Sequence, residues 1–164
     1  MKKSISIALI FVILLSVMLL SSCSDKTSML SSLEINGNKI ECRMDMSNVL
    51  DMFKNLKYEY SDSISCAYNG LDKIYDFSDS GFVVYTYPDG DKDYVLEVTV
   101  SSEDIKQHGG KVFVGMTKDE LVDLYGEEYT EDGDVLTYKV KDEQTMYFLI
   151  DGNKVVEYSI SVAE

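Results

Sequence analysis

Residues 37–53 read GNKIECRMDMSNVLDMF, and residues 109–125 read GGKVFVGMTKDELVDLY. Laid over each other without a gap, at an offset of 72, they match in character nearly throughout. Gly37 meets Gly109, Lys39 meets Lys111, Ile40 meets Val112, Cys42 meets Val114 and Met44 meets Met116. Val49-Leu50-Asp51-Met52-Phe53 then meets Leu121-Val122-Asp123-Leu124-Tyr125. Two segments with one apolar pattern point to two copies of one supersecondary unit. In the second segment Thr117 and Glu120 have the spacing of a capping box, so a helix should begin at residue 118. Leu121, Leu124 and Tyr125 would form its apolar stripe, and Gly126 suits the residue after its end. In the first segment Asp45 or Ser47 would cap, with Val49, Leu50, Phe53 and Leu56 as the stripe.

Outward from these segments the correspondence continues at smaller offsets. Asp72, Ile74 and Tyr85 meet Asp134, Leu136 and Tyr147, and Asp89-Gly90 meets Asp151-Gly152. Val95-Leu96-Glu97 meets Val155-Val156-Glu157, and Val100 meets Ile160. A short strand is expected before each helix, at 39–44 and 111–115, and period-two alternation predicts strands over 72–77, 82–87 and 94–100, and over 134–140, 145–150 and 154–162. A further strand is expected near 63–68, closed by the turn signal Asn69-Gly70. The expected fold class is therefore α+β: two tandem repeats, 33–104 and 105–164, each a short helical segment packed on an antiparallel β-sheet.

The pattern Val114-Gly115-Met116-Thr117, Glu120-Leu121, Tyr125-Gly126, Leu136-Thr137-Tyr138 and Asp151-Gly152-Asn153-Lys154-Val155 resembles the repeat of SmpA/OmlA-type outer-membrane lipoproteins. In tandem, over roughly residues 35–162, it resembles the beta-lactamase-inhibitor-protein fold. In the first copy Arg43 stands where the pattern has Gly. The resemblance implies non-enzymatic protein binding, often through an exposed sheet face. It implies no individual binding residue.

Strand alternation sorts the candidate faces. Leu136, Tyr138, Met146, Phe148, Ile150, Val156, Tyr158 and Ile160 should face the helix; Thr137, Lys139, Thr145, Tyr147, Leu149, Glu157 and Ser159 should face away. In the first copy the outward set includes Tyr75, Phe77, Val83, Tyr85, Tyr87, Glu97 and Thr99. Tyrosine offers large contact area at low entropic cost and is enriched at interfaces. Tyr75, Phe77, Tyr85, Tyr87 and Tyr147 are thus the candidate binding face. The same residues could instead be strand formers, or could lie under the 55–70 segment.

The N-terminus addresses location. Lys2 and Lys3 precede an apolar run from Ile5 to Leu20, too short for a spanning helix and suited to a secretory signal. The run ends in Leu20-Ser21-Ser22-Cys23, which resembles the lipobox of bacterial lipoproteins and implies lipidation of Cys23 after removal of residues 1–22. Residues 23–32 would carry the lipid and act as a tether. Two acyl chains suffice for stable membrane anchoring. A lipid-anchored protein on the extracytoplasmic face of the cell membrane is expected. There Cys42 and Cys66 could pair or remain free thiols.

Composition narrows the chemistry. The 164 residues carry 15 Lys+Arg against 29 Asp+Glu, a net charge of −14, which opposes nucleic-acid binding. With 45% hydrophobic residues a packed core is expected. His108 is the one histidine, so multi-histidine metal or catalytic sites are excluded. Asp89-Gly90-Asp91-Lys92-Asp93 begins like a calcium loop, but Tyr94 and Val100 stand where an EF-hand needs Gly and Glu, so a solvated turn is the better reading. No catalytic residue, metal site or cofactor is expected, and the protein should be monomeric. A membrane-anchored, non-enzymatic protein-binding module, inhibitor-like in character, is the function that fits. A small-ligand or cell-wall-binding lipoprotein is the alternative.

Cys23→Ala should abolish incorporation of labelled palmitate and leave the precursor uncleaved. Labelling that persists in this variant would refute the lipobox.

Overall fold

The computed structural model describes residues 30–140 and 143–162. Cys23, the signal segment and most of the tether lie outside the described residues.

The alternation read from the sequence produces long strands. From Phe82 to Pro88 every second side chain is buried. Among the described residues ten strands and two α-helices form: β1 (Leu33–Ile35), β2 (Asn38–Ile40), α1 (Met46–Met52), β3 (Glu59–Ile64), β4 (Leu71–Phe77), β5 (Phe82–Asp89), β6 (Lys92–Val100), α2 (Lys118–Tyr125), β7 (Thr130–Asp132), β8 (Val135–Lys139), β9 (Gln144–Asp151) and β10 (Lys154–Val162). β1 and β2 make a small hairpin. The other eight strands form one antiparallel sheet in the order β3-β4-β5-β6-β10-β9-β8-β7.

This architecture overturns the expected α+β class of two helix-on-sheet repeats. The described chain is 50% strand and 16% helical, so it is mostly β. β6 and β10 pair directly, Tyr158 opposite Val100 through Ser161 opposite Glu97, and fuse what would have been two sheets into one. The segments read as strands at 39–44 and 111–115 also differ. The first contributes only the short β2. The second follows a 3₁₀ turn at His108–Gly110 and contributes only a single bridge, Val112 to Gln107.

The helices are short because their stripes span two turns. Asp45 caps α1, accepting from the Ser47 amide at 3.0 Å, and Lys92 pairs with the same carboxylate at 2.7 Å. These partners hold the Asp45 carboxyl down at about 2, the Lys92 bond contributing most. Thr117 and Glu120 close the capping box at the start of α2. Val49 and Leu121, and Phe53 and Tyr125, are all buried against one face of the sheet. Phe53 meets Phe77 and Phe82, with ring centroids 6.0 and 5.1 Å away. Tyr125 meets Tyr138 and Phe148 at 5.5 and 5.8 Å.

A bulge lies in each central strand. In β6 the register shifts opposite Tyr85 and Thr86, and in β10 it shifts between Val155 and Glu157. Val95 and Val155 remain fully buried, while their backbone groups turn to the chain before each helix. The Val95 amide donates to Met44 O and its carbonyl accepts from Arg43 N; the Val155 amide donates to Met116 O and its carbonyl accepts from Gly115 N, all within 2.7–2.9 Å. Arg43 and Gly115 share this position and share left-handed backbone, at φ 67 and 98. The linker between the halves is held by buried Gln107, whose amide group spans the Glu34 N–H and C=O at 2.8 and 3.0 Å. Tyr158 adds a hydroxyl bond to Ile105 O. Cys42 and Cys66 are both free thiols, one buried and one exposed.

A side chain in left-handed backbone costs roughly 1–2 kcal/mol. A Cβ on Gly115 would make only ordinary contact, with Glu103 at 3.8 Å. Gly115→Ala should therefore lower stability by about 1 kcal/mol through the backbone alone. Arg43→Gly should raise stability by up to ~1 kcal/mol, since its exposed pairing with Glu143 is worth little. Urea midpoints measured at unchanged slope check both signs.

Candidate functional site

One face of the eight-stranded sheet carries the helices and core; the other carries neither helix. Side chains reach that open face in rows set by the register. One row runs Val83, Thr99, Ser159, Tyr147, Thr137 across β5, β6, β10, β9 and β8. Beside it runs Tyr85, Glu97, Ser161, Thr145, Lys139. On the other side Glu157 stands opposite Leu149, and Leu149 opposite Val135.

Tyr85 and Tyr147 lie on the open face as the alternation expects, Tyr85 half-buried and Tyr147 exposed. Tyr87 is there too, but it sits between rings. Tyr68, from the β3–β4 turn, stacks on it at 4.8 Å, and Tyr94 lies at 5.9 Å. The 65–70 turn thus covers Tyr87 in part. Tyr75 and Phe77 belong to the opposite face and pack in the core, Tyr75 7% and Phe77 1% exposed, so they are no part of the open face. The cause is a one-residue slip, which exchanges the faces of a strand. Pairing Ile74 with Leu136 aligned β4 with β8 one residue out of step. In the sheet it is Tyr75, opposite Val84, that takes the buried place Tyr138 takes opposite Met146. Val156 errs for the related reason that the β10 bulge keeps Val155 inside and leaves Val156 exposed.

The bulges matter for this face. Beyond Val95 and Val155 each inserts one residue, Leu96 and Val156, and the next residue is a glutamate directed to the open side. Glu97 and Glu157 consequently flank the β6–β10 seam, with Thr99 and Ser159 between them. A cleft of about 310 Å³ opens there, lined by Glu97, Glu157, Ser159, Tyr147, Leu149 and Val135. The Thr99 hydroxyl donates to Glu97 Oε1 at 3.1 Å. No cation forms an ion pair with either glutamate among the described residues. Burial raises the Glu157 carboxyl above the ordinary carboxylate range, and the charge of Glu97 raises it further. Burial, then Glu97 and Glu157, push the Tyr85 phenol up, so it stays a neutral hydrogen-bond donor at neutral pH. Glu97 and Glu157 were placed outward by the sequence but not recognised as a site. The available signal was their identity at matched positions, each two residues after a buried valine.

Compared with protein-family models, curated proteins and solved structures, the chain matches none.

The raised Glu157 carboxyl has a consequence for stability. A carboxyl raised on folding favours the folded state below its unfolded value, and that benefit is lost as pH rises through the folded value. Glu157→Gln should therefore raise the melting temperature at pH 7, and the gain should shrink as pH falls through the carboxylate range. Melting curves at pH 4 and pH 7 compare the two. An equal gain at both would show that Glu157 carries no such strain.

Proposed function

We propose that this chain is an extracytoplasmic lipoprotein, anchored through Cys23, whose open sheet face binds another protein without catalysis. The observation that carries the reading is the row of side chains over the β6–β10 seam. Thr99 and Ser159 are small and face each other across the seam, Tyr147 stands opposite Ser159, and Tyr85 stands opposite Glu97 in the neighbouring row. Aromatic anchors around a shallow, partly desolvated floor are the arrangement in which binding hot spots occur. Among the described residues neither helix packs over this face, and Tyr147 and Leu149 are exposed on it. The lipobox-like Leu20-Ser21-Ser22-Cys23 supports the location; Leu30 is already buried in the core, so the six residues 24–29 between Cys23 and the fold reach at most about 20 Å. A partner would thus be met close to the membrane.

Replacing Tyr85 or Tyr147 with a photo-crosslinking residue in the cell should yield a discrete crosslinked protein. The same residue at Asp123, on the helix side, should yield none. With the crosslinker at Leu149, the Tyr85→Ala/Tyr147→Ala variant should lose most of that product, because a hot spot is worth ~2 kcal/mol or more, about thirtyfold in affinity. Its melting temperature should barely move. Full crosslinking in the double variant, or crosslinking from Asp123 alone, places recognition elsewhere.

A further inference from the structure

We propose that the cleft between Glu97 and Glu157 seats an arginine side chain of the bound protein, its guanidinium held between the two carboxylates and against the Tyr147 ring. The inference deepens the reading of the open face as a protein-binding surface and rests on it.

The first argument is charge. Glu97 and Glu157 are each half-buried, share one cleft and repel each other, yet neither has a cationic partner among the described residues. Lys139, the cation in the neighbouring row, stands three strands from Glu97. Partly desolvated like charges without a counterion cost free energy that an incoming cation recovers. The second argument is polar and independent. Ser159 is 94% buried as judged by its 6% exposure, lines the cleft, and its hydroxyl has no hydrogen bond among the described residues. That hydroxyl lines the cleft and can accept from, or donate to, a group that enters it. The third argument is shape. The rest of the lining is Tyr147, Tyr158, Leu149 and Val135, an aromatic and aliphatic wall. A divalent cation such as calcium wants six to eight oxygens, which this lining does not gather. A planar guanidinium has five donors for two carboxylates and a hydroxyl, and it stacks on aromatic rings.

The test uses the full chain in detergent micelles, isotope-labelled for amide NMR. Three probes are titrated: acetyl-Gly-Arg-Gly-amide, the same peptide with citrulline, and calcium chloride. The arginine peptide should shift the amides of Glu97, Thr99, Glu157 and Ser159 saturably. Citrulline has the shape without the charge and should bind about tenfold or more weakly, as loss of charge-assisted bonds implies. Glu97→Gln/Glu157→Gln should remove the arginine response while leaving the remaining amide spectrum in place. Equal response to arginine and citrulline overturns the proposal. So does an arginine response centred on the Asp89–Lys92 turn, or one that survives the double glutamine variant. So does calcium alone shifting these amides while arginine does not. The two readings also separate. Crosslinking from Tyr147 that is untouched by Glu97→Gln/Glu157→Gln would keep the face as a docking surface and remove the arginine seat. Arginine-specific shifts with no crosslinked protein from Tyr85 or Tyr147 would do the reverse.

Discussion

The pairing of β6 with β10 is the contact on which the rest of the molecule depends. Its four registered pairs join residues far apart in sequence, and each half of the sheet would otherwise end there in an open edge. Val98, Val100, Tyr158 and Ile160 are buried along it, and the Cys42 thiol donates to the Ile160 carbonyl from the other half at 3.6 Å. Because the seam is shared, the aromatic clusters around Phe53 and Tyr125 lie on one continuous core. The outer edges left by this arrangement, β3 and β7, are fully exposed and carry Glu59, Asp62, Glu131 and Asp132. Charge on an edge strand discourages pairing with further chains, so the sheet grows inward from its ends and stops.

The two bulges follow from the same seam. A strand that pairs on both sides has no free backbone groups to give. Val95 and Val155 lie beyond the four pairs of the seam, so their N–H and C=O are free to bond the segments that lead into α1 and α2. The helices are thus fixed to the sheet by backbone as well as by packing. The insertion also determines what the open face displays. A strictly alternating strand that buried Val95 would bury residue 97 too. The bulge restores Glu97 to the open side, and Glu157 likewise.

Much of this was legible in the residues. The capping box at Thr117 and the strand rhythm were read correctly because they depend on local chemistry at fixed spacing. The matching of Val49 with Leu121 and Phe53 with Tyr125 was legible for the same reason. The joining of two halves into one sheet was not. Nothing in the alternation of 94–100 or 154–162 distinguishes an edge from a central strand, since both bury one face alike. Tyr75 and Phe77 were misplaced because matching by character tolerates a slip of one residue that strand geometry does not. Left-handed backbone at Arg43 was invisible in composition, although its place opposite Gly115 in the offset of 72 was the available sign.

The composition of the open face bears on what it is for. Thr99, Ser159 and Ser161 are all at least nine-tenths buried there, at the centre of a sheet where valine or isoleucine would pack with a gain of apolar burial. Small hydroxyl residues in that place hold the floor low and keep it polar. Two glutamates beside them, without an ion pair among the described residues, add repulsion that folding does not need. The helix side of the same strands follows the opposite rule, with Val95, Val98, Val100, Val155 and Ile160 buried without exception. A chain that packs one side of four adjacent strands so closely, and leaves acid and hydroxyl on the other, departs from local consistency on one surface only. Departures of that kind are expected where a surface is kept for something other than stability, and the seam between Tyr85 and Tyr147 is where they converge.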